Sequence, residues 1–474
     1  MQHLKKVFTA LSFIILFTAC SSSGYEHRKV QLPQGSTSVP GGLAGIDTAE
    51  NPYGVMLQGF QWESCNAGGW YSVISTNSSE IKNTFEYVWF PPSSDSGSTN
   101  GYLPRELNKL TTPYGTAAQL KQAINDIKPA KAIADIVINH RNGTYNWGTF
   151  TNPVWDEDFY AICSNDEAFT RGDSSIVNSD KRGAYDTGAS YDSGRDLDHT
   201  NTKVQNGIIA WMNDVLKDAG FVGWRYDYVK GYHGIFTGKY NAATDAKFSV
   251  GEYWPTASFS PSNSIAWRNE MIKWVNTTAM EGGRISRVFD FVLKGNLNEA
   301  FGWKSSSNTS NLSKWDMSKL ADQNSIFSYA PASAVTFVDN HDTGSTQQYW
   351  ELNPSNLGPA YAFILTHPGY PCVAWQHYFT GSGSQFTAGS YVNPARTLTL
   401  RGLIQILIGL REDMGIRYDS AVQIISSSTQ LYVAKIEGDT GNVLVKISKN
   451  SYTVPAGYTT VCSGTGFEVW KQDP

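Results

Sequence analysis

Charge is scarce in this 474-residue chain: Asp, Glu, Lys and Arg make up 17% of it, and 42 acids against 37 bases leave a formal net charge of −5. A basic surface able to release counterions from a phosphate backbone is missing, so nucleic acid is not an expected partner. Cysteine is rarer still. The five cysteines lie far apart with no CxxC pair, which argues against a zinc site or a small disulfide scaffold. Long apolar runs are also lacking, since the run from Val7 to Phe17 falls short of the roughly 20 residues of a spanning helix. What the chain does have is 41% hydrophobic residues, with 15 Trp, 25 Tyr and 22 Phe, which excludes a disordered, collagenous or coiled-coil protein. At roughly 100 to 200 residues per domain the length allows two to four domains, although an α/β barrel alone takes about 250.

Lys5 and Lys6 ahead of the short apolar run read as a secretory signal. The run closes with LFTAC and is followed by SSSG, which resembles the lipobox of bacterial lipoproteins. That resemblance implies a signal peptide over residues 1–19, a lipid on Cys20 and an envelope location, with the membrane touched through the lipid only. Each buried CH₂ would contribute about 0.8 kcal/mol to the hold. Ser21 stands where an aspartate would mark inner-membrane retention, so the outer membrane is expected. Residues 20–50, rich in Ser, Gly, Pro and Thr, read as a flexible tether. Cys65, Cys163, Cys372 and Cys462 remain after cleavage, and export permits bridges without showing any.

From Pro52 onward short apolar runs alternate with amphipathic stretches. Eight runs read as buried parallel strands: Tyr53 to Phe60, Phe85 to Phe90, Lys131 to Asn139, Phe221 to Val229, Lys247 to Trp254, Ser286 to Val292, Ser333 to Asp339 and Pro371 to Trp375. Between Thr202 and Ala219, Val204, Ile208, Trp211, Val215 and Ala219 recur three or four apart, and Gly220 follows where a C-cap belongs. Eight strands without a GxGxxG turn favour a closed (β/α)₈ barrel over a doubly wound sheet. The expected α/β architecture is a TIM barrel over residues 51–140 and 199–413. An irregular domain over 141–198, rich in Gly, Asn, Asp, Ser and Tyr, is inserted after strand 3, where barrel loops face the active end. A small antiparallel β domain follows over 414–474, where QLYVAKI, NVLVKI and FEVW alternate apolar and polar residues.

Three strand ends carry acids: Asp227 in GWRYDYVKGY, Glu252 in VGEYW and Asp342 in FVDNHD. In a barrel they converge on one face. Acetal cleavage needs one carboxyl to protonate the leaving oxygen and another to attack the oxocarbenium-like carbon. Arg225, two residues before Asp227 and so on the same side of its strand, is expected to keep that carboxylate ionised as a nucleophile. Glu252, among other acids and aromatic walls, is expected to hold its proton as a general acid. Singly, each acid reads as readily as half of a structural salt bridge.

Together, DIVINH (Asp135 to His140), GWRYDYVKGY, VGEYW and FVDNHD resemble, in order and spacing, the four signature regions of glycoside hydrolase family 13, the α-amylase family. The likeness covers nearly the whole body and is similar to the plant-type members in WFPPSSDSGSTNGYLP, AIADIVINHRNG, FVDNHDTGSTQQ and ILTHPGYPC. It implies Asp227 as nucleophile, Glu252 as general acid/base and Asp342 as the acid that grips the sugar, with His140, Arg225 and His341 at subsite −1. Tyr102 would stack on the sugar ring there, and Lys230 and Trp254 would lie on the leaving-group side. On residue types alone, DTGA at Asp186 to Ala189 is a turn and Asp196 a helix N-cap before Thr202. The resemblance implies instead a structural Ca²⁺ held by Asn139, Asp186, Asp196 and the carbonyls of Ala189 and Gly231, which suits the six to eight oxygens this ion takes. The insert departs from the plant pattern through most of Thr144 to Arg182, so further calcium sites are not carried over. The expected activity is retaining endo-hydrolysis of α-1,4-glucosidic bonds in starch-like α-glucans by a monomer. The alternatives are an exo-acting maltooligosaccharide-forming amylase, a transglycosylase or a non-catalytic starch-binding lipoprotein.

Overall fold

In a computed structural model that describes residues 29–41, 51–155, 158–379, 391–394 and 396–474, all eight apolar runs become strands of one closed parallel barrel. The strands are β1 Met56–Gln58, β2 Tyr87–Trp89, β3 Lys131–Ile136, β4 Gly223–Tyr226, β5 Ser249–Gly251, β6 Arg287–Phe289, β7 Ala334–Phe337 and β8 Tyr370–Ala374. Each pairs in register with its chain-order neighbours, and β8 closes on β1 through Met56 opposite Cys372. The strands are shorter than the apolar runs because the chain turns away to form loops once each run clears the barrel rim.

Layers of side chains fill the interior. At one level Tyr87, Phe248 and Tyr370 pack with ring centroids 4.7 to 5.9 Å apart, with the Arg287 guanidinium over two of these rings. At the other, Trp89 packs on Phe289 at 5.5 Å and lies under the Arg225 guanidinium at 4.8 Å. Aromatic faces tolerate a cation there because their quadrupoles are negative on the face.

The expected helix after β3 is present but not uniform. It runs as Thr202–Ala210, continues as a π segment Trp211–Leu216 and ends in Lys217–Ala219, capped by Gly220 at φ 111°. Its N-cap is Asn201, which accepts from Lys203 N, and not Asp196. A two-residue ladder, His140–Arg141 against Arg195–Asp196, pinches the neck of the insert. Inside the insert the described residues form short turns of helix, Phe159–Ala161, Ala168–Arg171 and Ser174–Val177.

Two expectations about boundaries need correction. The C-terminal sheet has seven strands, and two of them, Tyr391–Asn393 and Arg396–Leu398, come from the chain before residue 414 and reach the sheet through Val392 opposite Ser463. These short segments around a proline lack the alternation that marks the later strands. Also, the supposed tether is not free throughout: over residues 29–41 it lies along the helix Ser264–Thr278, where Asn276 Nδ2 donates to the carbonyls of Ser36 and Ser38 at 2.8 and 2.9 Å. Backbone carbonyls of a polar segment find partners as well as apolar side chains do, and composition does not report them. Cys20 and the signal segment lie outside the described residues. No helix among the described residues is long and apolar enough to cross a membrane. Cys65, Cys163, Cys372 and Cys462 are all free thiols and buried.

The close approach of the helices Gly234–Ala243 and Ser264–Thr278 leaves no room for a side chain at two glycines, Gly234 and Gly238. A Cβ on Gly238, in the helix Gly234–Ala243, would sit 1.8 Å from the carbonyl oxygen of Thr278 on the next helix. Gly238→Ala should therefore destabilise the fold by about 1–3 kcal/mol through overpacking, although helix propensity alone favours Ala by about 1 kcal/mol. Denaturant unfolding reads the sign directly, and a stabilised variant would show that the helices separate at little cost.

Candidate active site

The strand ends of β3, β4 and β5 stand side by side, and one buried cation ties them together. Arg225 on β4 donates from Nη1 to Asp135 Oδ1 and to Asp227 Oδ1, both at 2.8 Å. Its Nη2 lies 2.9 Å from Glu252 Oε2 as an ion pair without an aligned hydrogen bond. Asp227 and Glu252 are in turn within side-chain hydrogen-bonding reach of each other. Tyr228, just past Asp227, takes a left-handed backbone with φ 45°, and its N–H donates to Glu252 Oε2 at 3.2 Å. A non-glycine residue held there is strained, as residues of functional sites often are.

Burial decides the protonation of these acids. It pushes Asp227 up to about 6, against the pull of Arg225 and with the push of Asp135. It pushes Glu252 up to about 7, where Asp227 adds to the shift and Arg225 opposes it. Asp342 is raised well above the usual carboxylate range by burial and by the charge of Glu252. Arg225 opposes the rise of Asp227, and the same cation is shared with Asp135 and Glu252.

A chain of hydrogen bonds crosses the site from β1 to the loop after β7. Tyr102 O–H lies 2.9 Å from Asp135 Oδ2 and 2.8 Å from His341 Nε2, and Gln58 Nε2 lies 2.9 Å from His341 Nδ1. Asp135 can only accept, so Tyr102 donates to it and accepts from His341 Nε2–H, which leaves Nδ1 to accept from Gln58. His341 is neutral in this arrangement, in keeping with a pKa driven well below its ordinary value by burial and by Arg225. His140 donates from Nε2 to the Tyr102 carbonyl at 2.8 Å, and burial lowers its pKa to about 4.

Asp227, Glu252, Asp342, Arg225, His341, Tyr102 and His140 are thereby brought to one end of the barrel. Lys230 sits farther out, with Nζ 3.4 Å from Thr256 Oγ1, and Trp254 stacks on Phe291 at 4.8 Å, so part of its surface serves packing. Four neighbours escaped the sequence reading. Asp135 is the hub that accepts from Arg225, Tyr102 and Trp89. Gln58 orients His341, Trp62 stacks on Tyr102 at 6.0 Å, and Tyr191 stacks on His140 at 4.0 Å. Asp135 stood inside a recognised motif, whereas Trp62 and Tyr191 carry no signal of their own.

The residues expected to hold calcium also meet. Asn139 Oδ1 and Asp186 Oδ2 are buried with no hydrogen-bond partner among the described residues. A Cβ on Gly231 would fall 1.9 Å from Asn139 Oδ1, and one on Gly188 2.6 Å from the Gly231 carbonyl oxygen. Ala189 N donates to the Lys230 carbonyl at 3.0 Å, and Asp196 accepts from Asn139 Nδ2 and Tyr191 N. Burial and the charge of Asp186 push Asp196 up to about 8. Among the described residues no three His, Cys, Asp or Glu side chains cluster tightly enough to hold a metal by themselves. The fit is instead to a hard cation that takes amide and backbone oxygens, since two buried oxygens lack a donor there.

Comparison with known proteins agrees with this architecture. The family described as "Alpha amylase, catalytic domain" matches residues 82–375, and "Alpha-amylase C-terminal beta-sheet domain" matches residues 413–471. A relative from Arabidopsis thaliana named "Probable alpha-amylase 2" is 31% identical over 88% of this chain and 94% of its own length. Another, "Alpha-amylase 3, chloroplastic", is 30% identical over 88% of this chain, which spans only 44% of that longer protein. The solved α-amylase of Geobacillus thermoleovorans in complex with acarbose shares the fold, with a TM-score of 0.59 at 15% identity over 89% of this chain and 99% of its own. On the extent of these matches, the chain belongs to the α-amylase family, glycoside hydrolase family 13.

Proposed function

We propose that this chain hydrolyses α-1,4-glucosidic bonds inside starch, glycogen and related α-glucans with retention of configuration. The observation that carries the reading is the contact between the Asp227 and Glu252 carboxyls on a single guanidinium. Inverting enzymes separate their two acids by about 6.5–9.5 Å to admit a water, whereas retaining ones hold them about 5–5.5 Å apart. Two carboxyls gathered on the two terminal nitrogens of one guanidinium, at 2.8 and 2.9 Å, favour the shorter separation. Asp227, ionising first, attacks the anomeric carbon. Glu252, keeping its proton longer, protonates the leaving oxygen and then activates the incoming water. Asp342 and neutral His341 hold sugar hydroxyls, and Tyr102 packs against the ring. The plant relatives named α-amylase support hydrolysis of α-glucans.

Bound Ca²⁺ would serve structure by neutralising Asp186 and Asp196 and clamping the insert to the loop that follows the nucleophile. Asn139, Asp186, Asp196 and the carbonyls of Ala189 and Gly231 would hold it. The lipobox-like LFTAC supports export and a lipid on Cys20, which would display the enzyme on the outer membrane.

Four outcomes test this reading. Asp227→Asn should abolish release of reducing sugar while leaving glucan binding intact, and Glu252→Gln should slow turnover by about 10²–10⁴-fold; near-normal turnover of either variant refutes its assignment. The kcat/KM profile should be bell-shaped, falling below about 6 as Asp227 takes up a proton and above about 7 as Glu252 loses one; a rate flat from acid to alkaline pH would contradict both roles. Excess EGTA should lower the melting temperature and calcium restore it, with about 2.7 kcal/mol of stability at hundredfold saturation; identical melting in both would remove the calcium site. Product sizes from amylose separate internal cleavage, with mixed early oligosaccharides, from an exo-acting enzyme that releases one short product.

A further inference from the structure

A second buried charge pair stands near the acids, and the reaction described above does not use it. Lys294 lies on the helix Phe291–Phe301 that follows β6, and Asp339 lies two residues past the end of β7. Both side chains are fully buried, and Lys294 Nζ donates to Asp339 Oδ1 at 2.6 Å. The neighbouring ionisable groups are engaged elsewhere or neutral. Glu351 pairs with Lys304 at 3.0 Å, and His377, with Nε2 4.0 Å from Asp339 Oδ2, is neutral because burial lowers its pKa to about 4. Lys294 is therefore the cation that compensates Asp339 among the described residues. An ion pair this deep stabilises a fold no better than apolar side chains of the same volume do, so its presence calls for another role.

Hydrogen bonds connect this pair to the site. Asp339 accepts from Thr343 Oγ1 at 3.0 Å and from Leu352 N at 3.3 Å. Thr343 Oγ1 accepts in turn from Asn340 N at 3.0 Å, and Asn340 Oδ1 accepts from the amides of Asp342 and Thr343 at 3.0 and 2.9 Å. Lys294 also donates to Asn298 Oδ1 at 2.9 Å, and Asn298 Nδ2 donates to the Trp350 carbonyl at 3.0 Å. One ammonium thus closes both ends of the loop over residues 339–352, the entry through Asp339 and the exit through Leu352 and Trp350. His341 and Asp342 sit between those ends. The same loop holds left-handed backbone at Ser345 and Gln348, with φ 52° and 46°. Residues other than glycine keep that conformation where their surroundings impose it.

We propose that Lys294 is a positioning residue for glucan hydrolysis, acting through Asp339, Thr343 and Asn340 to fix the backbone that aims Asp342 and His341 at the sugar. The proposal rests on the α-glucan hydrolase reading above. Ionised Asp339 accepts from Lys294, Thr343 and Leu352 at once. Without the ammonium, a buried carboxylate takes up a proton or turns away, and the Thr343 hydroxyl and the Leu352 amide lose their acceptor. Lys294 touches no substrate, so its effect reaches the reaction only through the placement of Asp342 and His341.

The test uses the full chain with Lys294→Met, alone and combined with Asp339→Leu or with Asp339→Asn, on maltoheptaose far below the melting temperature. Lys294→Met should lower kcat about 10- to 100-fold, as a misplacement of about 1 Å does, with KM held within about threefold. Lys294→Met/Asp339→Leu should regain the parent melting temperature, since an apolar pair replaces the ionic one, yet keep the low kcat because Thr343 and Leu352 have no acceptor. Lys294→Met/Asp339→Asn should bring kcat back to within about threefold of the parent, since the amide oxygen still accepts. A kcat that follows the melting temperature across the variants, or normal turnover by Lys294→Met, makes the pair purely structural and overturns the proposal. Where Lys294→Met fails to fold, the two double variants decide: faster turnover with Asp339→Asn upholds positioning, and equal turnover overturns it. Hydrogen exchange at the Asp342, Thr343 and Leu352 amides reads the loop without reference to turnover. A parent enzyme that cleaves no α-glucan refutes the hydrolase reading, and exchange then decides the placement: selective loss of protection in Lys294→Met/Asp339→Leu upholds it, and unchanged protection refutes it.

Discussion

The guanidinium of Arg225 is the interaction on which this site depends. A cation 0% exposed inside a barrel needs partners, because removing an ion from water costs several kcal/mol even after relaxation. Here the partners are Asp135, Asp227 and Glu252, one from each of three adjacent strands, with Trp89 beneath. Three acids on one cation do not all ionise together. Burial raises both carboxyls, Asp227 to about 6 and Glu252 to about 7, with Arg225 opposing each shift.

That clamp is steadied from above and below. Asp135 spends its second oxygen on Tyr102 and Trp89, so the loop carrying Tyr102 is tied to the same hub. Below the loop after β7, Lys294 and Asp339 form a fully buried pair at 2.6 Å, and Asp339 also accepts from Thr343 beside Asp342. On the other flank, His140 joins the Tyr102 loop to the insert, and the glycines at 188 and 231 let the insert press against the turn after Asp227. The geometry of the acids is thus over-determined by contacts from distant parts of the chain, as pre-organised electrostatic catalysis requires.

Much of this was legible in the residues. All eight barrel strands were visible as short apolar runs, because a strand buried on both faces is largely apolar, its few polar side chains, such as Asp135 and Arg225, being paired with one another. The helix capped by Gly220 and the C-terminal alternation were visible for the same reason, since burial writes its period into the chain. Strands such as Ala421–Ser427, whose residues are largely exposed, and Tyr458–Gly464, in which only Cys462 is fully buried, left no such trace. Neither did Tyr391–Asn393, which crosses from the barrel to the outer sheet.

The sequence by itself determined the barrel, the acids at its strand ends and the family to which their motifs belong. Those properties are local: each rests on a few neighbouring residues and their periodicity. Only the tertiary structure decided that Asp135 shares Arg225 with Asp227 and Glu252, that Tyr102 and Gln58 set the tautomer of His341, that the buried oxygens Asn139 Oδ1 and Asp186 Oδ2 lack a partner among the described residues, and that residues 29–41 are docked. These follow from distances between groups separated by tens to hundreds of residues. Electrostatic and hydrogen-bond energies depend on such distances, and no pattern along the chain encodes them.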